Sequence, residues 1–180
     1  MRLLTVGHGA HTRDALAALL HGAGVEAVVD VRRYPGSRRH PQFARDALEL
    51  WMPEAGLSYR WEPALGGFRT PAPGSPDTAL RHRSFRAYAG HMRTDEFTRA
   101  IDRLLDDARA RPTGVMCSES LWWRCHRRLI ADYVTLVNGI EVGHVMPNGS
   151  LAGHVPTPAA RLDGRQLVYD NGQTSLLDAV

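Results

Sequence analysis

Gly114-Val115-Met116-Cys117-Ser118-Glu119-Ser120-Leu121-Trp122-Trp123-Arg124-Cys125-His126-Arg127-Arg128 is the stretch on which the reading of this chain turns. Its first four residues form a short apolar run, as in a strand buried on both faces. From 124 to about 137 the spacing changes: His126, Ile130, Tyr133 and Val137 recur at the helical period. A buried strand thus passes into a helix through a turn that holds both cysteines of the chain, a carboxylate, a histidine, two tryptophans and several arginines. In open α/β sheets, ligands bind outside the carboxyl ends of the strands. The turn is therefore the first place to look for chemistry.

The same alternation extends in both directions. Residues 3–6 are a second apolar run, ending in Gly7-His8-Gly9. Thr12 can cap a helix carrying Leu16, Leu19 and Leu20, closed by Gly22 and Gly24. Residues 25–31 read as a buried strand ending in Asp30-Val31-Arg32-Arg33, and 34–41 as a loop. A helix over about 42–53 and a short strand over 57–61 follow. Four prolines and three glycines make 62–83 an irregular insertion, the kind of connection that serves as a lid or mobile segment. Two helices come next. The first carries Phe85, Tyr88 and Met92. The second is capped by Thr94, with Asp95 and Glu96 where the dipole favours acids. A strand over 140–145 precedes a loop-like tail from about 147, with a terminal strand over 166–169. Continuous apolar strands separated by helices predict an α/β fold with a mostly parallel central sheet covered on both faces. Residues 1–180 read as one domain.

Composition narrows the class. The chain is long enough to bury a real core, and no apolar run approaches the roughly 20 residues that span a bilayer. No leader pattern precedes the first strand, so the expectation is a cytoplasmic protein without a membrane partner and with both cysteines reduced. All 22 basic residues are arginine, the net charge is +3 and the pI is about 9.2. Such a balance does not by itself make a nucleic-acid binder, and a GC-rich genome explains the bias equally well. Arginine nonetheless offers a planar fork that suits phosphate and stacks on bases.

Each candidate residue has a bland reading beside the functional one. His126 is expected to face the sheet from the first turn of its helix, where free N–H groups favour anions and Arg127 adds charge. It is an acid–base candidate or a packed ring. Cys125 is a candidate nucleophile, Cys117 a small buried hydrophobe at a strand end. Cys117, Cys125 and His126, with His144, could also bind a metal, although structural zinc sites usually show closer cysteine pairs. Glu119, just past the strand end, is a candidate general base. Asp30 and His8 are further catalytic candidates at the ends of their strands; the alternative for Asp30 is an ion pair anchoring its loop. Arg32, Arg33, Arg38 and Arg39, with His40, form a basic loop fit for phosphate or simply for solvent, and Ser37 within it is a further substrate-binding candidate. Trp122 and Trp123 offer faces on which bases stack for ~1–3 kcal/mol each, or pack into the core.

Together these residues resemble the family known as domain of unknown function 488. The resemblance rests on Thr5-Val6-Gly7-His8, on Asp30-Val31-Arg32 with Pro35, Ser37, Pro41 and Phe43, and on Leu65-Gly66-Gly67 with Arg69, Tyr88, Met92 and Phe97. Its most specific part is Cys117-x-Glu119 followed by Cys125-His126-Arg127; His144, and His154 with Thr157 and Ala160, complete it. Gly9 departs from the pattern, which has serine there. The resemblance implies a Rossmann-like three-layer sandwich and a site built from the matching polar residues, Arg69 among those that bind substrate. It supplies no activity.

The expected function is that of an enzyme, a hydrolase, acting on a nucleotide or nucleic acid. Arg32, Arg39 and Arg127 would hold phosphate, Glu119 and His126 would move protons, a tryptophan would stack a base, and 62–83 would close over it. The alternatives are a non-catalytic nucleic-acid-binding module and a metal- or thiol-dependent enzyme using the Cys–His cluster. No cofactor is required by the sequence, a divalent metal is admitted, and the oligomeric state is left open.

Overall fold

A computed structural model describes residues 1–170 and 172. Its centre is a six-stranded sheet in the order β3-β2-β4-β1-β5-β6, built from β1 (Arg2–Gly7), β2 (Ala27–Asp30), β3 (Ser58–Trp61), β4 (Thr113–Cys117), β5 (Glu141–Val145) and β6 (Leu151–Gly153). All neighbours are parallel except β5 and β6. The fold is thus a Rossmann-like three-layer α/β sandwich, as the resemblance implies, around the mostly parallel sheet that the apolar strand pattern predicts.

Period-two alternation sorts the strand side chains between two cores. Leu4, Val6, Val28 and Met116 pack with Leu16 and Leu20 of α1 (Arg13–Gly22) and with Leu48, Trp51 and Met52 of α2 (Arg45–Glu54). Leu3, Val29, Val115 and Val142 face the other way. They meet α3 (Arg83–His91), α4 (Asp95–Ala110) and α5 (Arg127–Leu136) through residues such as Tyr88, Leu104 and Ile130. Thr12 and Thr94 cap α1 and α4 by accepting from the Ala15 and Phe97 N–H groups, as their positions before the apolar stripes predict.

Strand order fixes where a ligand can enter. The connections from β1 to β2 and from β2 to β3 run one way across the sheet and carry α1 and α2. Those from β3 to β4 and from β4 to β5 run the other way and carry α3 to α5. With right-handed crossovers, a change of direction moves the helices to the opposite face. The chain therefore leaves the adjacent strands β1 and β4 in opposite directions, and a crevice opens between their carboxyl ends. Backbone pairing continues past the strands: His8 N–H donates to Cys117 O at 2.9 Å, and Gly9 N–H to Ser118 O at 3.0 Å. Gly7 permits this closeness, since a Cβ there would lie 2.0 Å from Glu119 O.

Two segments differ from their sequence readings. The tail from about 147 holds more than one strand. Besides β6, it folds β7 (Ala160–Asp163) and β8 (Gln166–Tyr169) into a hairpin around Gly164, whose φ is +59°. Three- and four-residue strands leave too little alternation to read, although Asp163-Gly164 between Leu162 and Leu167 is a hairpin signal. The 62–83 segment is irregular as expected, but it is pinned. Arg69 donates to the carbonyls of Pro63, Ala64 and Gly66, and the buried Asp77 pairs with Arg93 at 2.7 Å. Among the described residues no helix is long and apolar enough to cross a membrane.

Candidate functional site

A cleft of about 440 Å³ lies over the β1–β4 crevice. The residues just after β1 supply His8 and Gly9, the loop after β2 supplies Arg32, Arg33 and the 34–40 turn, and β4 with the turn before α5 supplies Cys117, Ser118 and His126. The pinned segment contributes Gly67 and Phe68.

One wall is a buried charge unit. The Asp30 carboxylate receives Arg32 through Nε at 2.8 Å and Nη2 at 2.5 Å, and Tyr59 Oη at 2.8 Å. Arg32 Nη1 meets His8 Nε2 at 3.2 Å, while His8 Nδ1 meets Gly9 O at 3.0 Å. Only one tautomer fits: Nδ1 carries the proton and Nε2 accepts from the guanidinium. Burial, then the Arg32 charge, push the His8 pKa down to about 4, which agrees with that neutral ring. Both nitrogens are engaged, so His8 orients Arg32 and is not a free base. Asp30 anchors its loop through the ion pair and lies behind Arg32.

The floor is a sulfur–imidazole group. His126 is the residue before the first turn of α5, and its Nε2 donates to Val31 O at 3.1 Å. The other ring nitrogen, Nδ1, meets Cys125 Sγ at 3.6 Å, and in the neutral ring it is the accepting side. Cys117 Sγ completes the group, with all three atoms within 4.8 Å of one another. Arg127 Nε donates to Cys125 Sγ at 3.5 Å. The two thiols divide the proton unequally. Cys117 is pushed up to about 12 by its hydrogen bond to Cys125 and by burial. Burial opposes ionisation of Cys125 too, but the Cys117 S–H and the Arg127 charge outweigh it and bring the thiol down to about 6.

The rim is basic and aromatic. Arg33, Arg39 and His40 face the opening, with Ser37 Oγ holding the His40 N–H. Tyr34 and Phe68 stand 70% and 85% exposed, with ring centroids 6.2 Å apart. Phe68 has a φ of +58°, a conformation rare outside glycine that collects at functional sites. Tyr34 and Phe68 were not singled out by sequence reasoning, whereas His40 belongs to the basic loop and Gly67 to the residues that carry the family resemblance. Tyr34 carried a signal as part of that loop; Phe68 carried none.

Other candidates lie outside the cleft. Glu119 Oε1 accepts from Leu121 N–H at 3.1 Å, and its carboxylate shapes the turn. Arg127 is 1% exposed; besides Cys125 it holds Glu119 O, so it supports the turn and does not reach ligand. Arg69 is spent on backbone carbonyls. Trp122 stacks on His144 at 4.0 Å and 4°, whereas Trp123 is exposed on a separate groove. His144 is remote from the sulfur group. It belongs to a buried chain in which Thr5 Oγ1 meets its Nδ1 at 2.7 Å, its Nε2 meets His154 Nδ1 at 3.0 Å, and His154 Nε2 meets Asp132 at 2.9 Å. The structure thus brings together His8, Arg32, Arg33, Ser37, Arg39, Cys117 and His126 around one opening, with Asp30 and Cys125 buried behind them. Gly9 has a φ of +50°, and a Cβ there would lie 2.3 Å from Ser120 Oγ, so a serine at 9 requires that side chain to move.

The family model described as domain of unknown function DUF488 matches residues 12–134. The chain belongs to the DUF488 family. The matched span of this DUF488 protein holds Asp30, Arg32, Cys117, Cys125 and His126; His8, His144 and His154 lie outside it. No curated protein and no solved structure matches the chain.

Proposed function

We propose that this DUF488 protein is a hydrolase acting on a nucleotide or nucleic acid, held by its phosphate over the Cys117–Cys125–His126 floor. The observation that carries the reading is a pair of uncompensated cations on an aromatic rim. Arg33 and Arg39 face the cleft, and among the described residues neither has a carboxylate within ion-pair distance. Arginines without carboxylate partners at a concave, switch-point site suit an anion, and the exposed Tyr34 and Phe68 rings, the first already beneath the Arg33 guanidinium, suit a base. His8 and Asp30 set the wall by fixing Arg32. The scissile bond faces the floor, where the sulfur and Nδ1 lone pairs lie.

A second observation favours nucleic acid over a free nucleotide. Trp123, Arg81, Arg124 and Arg128 line another groove, of about 530 Å³, and the 118–126 turn lends residues to both openings. A strand crossing the turn would meet cations on both sides. The same surface would serve a non-catalytic binding module, so turnover must be measured with binding.

The test uses a fluorescein-labelled single-stranded oligonucleotide, with ADP as competitor, in wild type and in Arg33→Ala/Arg39→Ala. Hydrogen bonds to charged groups contribute about 1.5–3 kcal/mol each, so the double variant should bind at least roughly tenfold more weakly. Affinity should fall with salt, and less steeply in the variant. Unchanged affinity for both probes would overturn the reading. Binding without cleavage of either probe would leave the non-catalytic module in its place.

A further inference from the structure

We propose that Cys117 Sγ, Cys125 Sγ and His126 Nδ1 form a binding site for one thiophilic divalent cation of the zinc class, with its fourth position open to the cleft. The ion's role rests on the reading of the cleft given above; its binding does not.

The ligand set is what such an ion prefers. Zinc takes thiolate sulfur at about 2.3 Å and imidazole nitrogen at about 2.0–2.1 Å in a tetrahedron. Those lengths place a sulfur and a nitrogen about 3.6 Å apart along one tetrahedral edge. The Cys125 Sγ to His126 Nδ1 distance is 3.6 Å, and Cys117 Sγ lies within 4.8 Å of both. Closing the group on an ion requires Cys117 Sγ to approach the other two atoms by at most about 1 Å.

The surroundings are those of a ligand shell. A metal-bound imidazole almost always donates its other ring N–H to a carbonyl or carboxylate, which fixes the tautomer and aims the lone pair. Here Nε2 donates to Val31 O at 3.1 Å, from a strand end far away in sequence. Tyr88 packs on the ring with centroids 5.0 Å apart, and a Cβ on Gly67 would lie 3.4 Å from Nδ1, so the ring is clasped on its faces. The Arg127 N–H on Cys125 Sγ is the hydrogen bond expected of a buried thiolate ligand. Both cysteines are buried, yet Cys117 and His126 also line the cleft. The ion would be shielded on three sides and exposed on the fourth.

Three protein ligands plus one open position distinguish catalytic from structural zinc sites. An ion placed there would act as a Lewis acid beneath the phosphate that Arg33 and Arg39 hold, or on the water that attacks it. The sequence offered these three residues together with His144, which stands outside the group; the eight-position separation of the cysteines is unlike the paired spacings of structural zinc motifs.

The experiment is a titration of chelator-stripped, reduced protein with Co2+, followed by Zn2+. The expected result is one equivalent of Co2+, with thiolate-to-cobalt charge transfer in the near ultraviolet, intense tetrahedral d–d bands in the visible, and displacement of both by Zn2+. In His126→Gln the amide can still donate to Val31 O, but Nδ1 is lost. Its affinity should fall by more than the roughly 10–100-fold that follows loss of an outer-shell partner alone. Should that variant not fold, wild type alone decides: Zn2+ must slow iodoacetamide alkylation of both thiols, read by mass spectrometry. Absence of charge transfer at stoichiometric Co2+, or thiols alkylated equally fast with and without Zn2+, would overturn the proposal. Arg33→Ala/Arg39→Ala separates the two readings. It should take up Co2+ unchanged while losing the oligonucleotide; Co2+ uptake with intact oligonucleotide affinity would sink the phosphate reading and leave the metal site standing.

Discussion

The buried histidine chain makes a quantitative prediction about acid stability, tested by His144→Gln. His144 is 1% exposed, between Thr5 and His154 and under the Trp122 ring. Burial, then the neighbouring His154 and Arg127, push its pKa from 6.5 down to about 3. The folded protein therefore holds this ring neutral where the unfolded chain protonates it. The unfolded state binds more protons below about pH 6.5, so stability is intact above that value and declines as pH falls towards about 3. At about pH 5 the folded ring is still neutral and the unfolded one almost wholly charged, so the loss is about 1.36 kcal/mol for each of roughly 1.5 pH units, or about 2 kcal/mol. That figure depends on the unfolded pKa and holds for any folded value well below 5. His8, also kept neutral, acts with the same sign in both proteins and cancels in the comparison. Urea unfolding of wild type and His144→Gln at about pH 7.5 and pH 5 reads the effect, and the variant should lose about 2 kcal/mol less between the two. Equal losses in the two proteins would refute the neutral, buried state of His144.

Two shorter predictions concern the cleft. Glu119→Gln keeps an oxygen for Leu121 N–H, so oligonucleotide affinity should be unchanged and the melting temperature nearly so; abolished turnover with intact binding would restore Glu119 as the base. Phe68→Gly relieves a positive φ that costs a non-glycine residue about 1–3 kcal/mol, so the free protein should become more stable while its oligonucleotide affinity falls. Lower stability would mean that the ring packs well enough to offset its backbone.

Elements whose cause is local were legible in the sequence. The strands around Val28 and Val115 show as apolar runs, and Thr12 and Thr94 show as caps because capping needs only a hydroxyl three residues before an N–H. The strand ends that line the cleft were legible as well, since they follow from the alternation; which two of them form the switch point was not, because that depends on strand order. What was not legible is made by distant parts of the chain. The partner of His126 is Val31, 95 positions away, and that one bond decides which nitrogen is free. Glu119 was placed at the right strand end, but its side chain turns into its own loop. The Asp132–His154 pair did leave a trace: an aspartate within Leu129-Ile130-Ala131-Asp132-Tyr133-Val134 must find partners inside, and it finds His154, Thr157 and Tyr169. Charge within an apolar run is a readable signal even when its partner is not.

The two borders of the sheet bear on how copies of this protein meet. β3 and β6 are the outermost strands, four and three residues long. A border strand offers unpaired N–H and C=O groups to any other chain, and long flat ones invite stacking. Here β3 carries Arg60, tied to Glu62 and Asp107, and β6 is short and followed closely by Pro156. Among the described residues, neither border of this sheet presents the long flat strand that invites edge-to-edge stacking of copies.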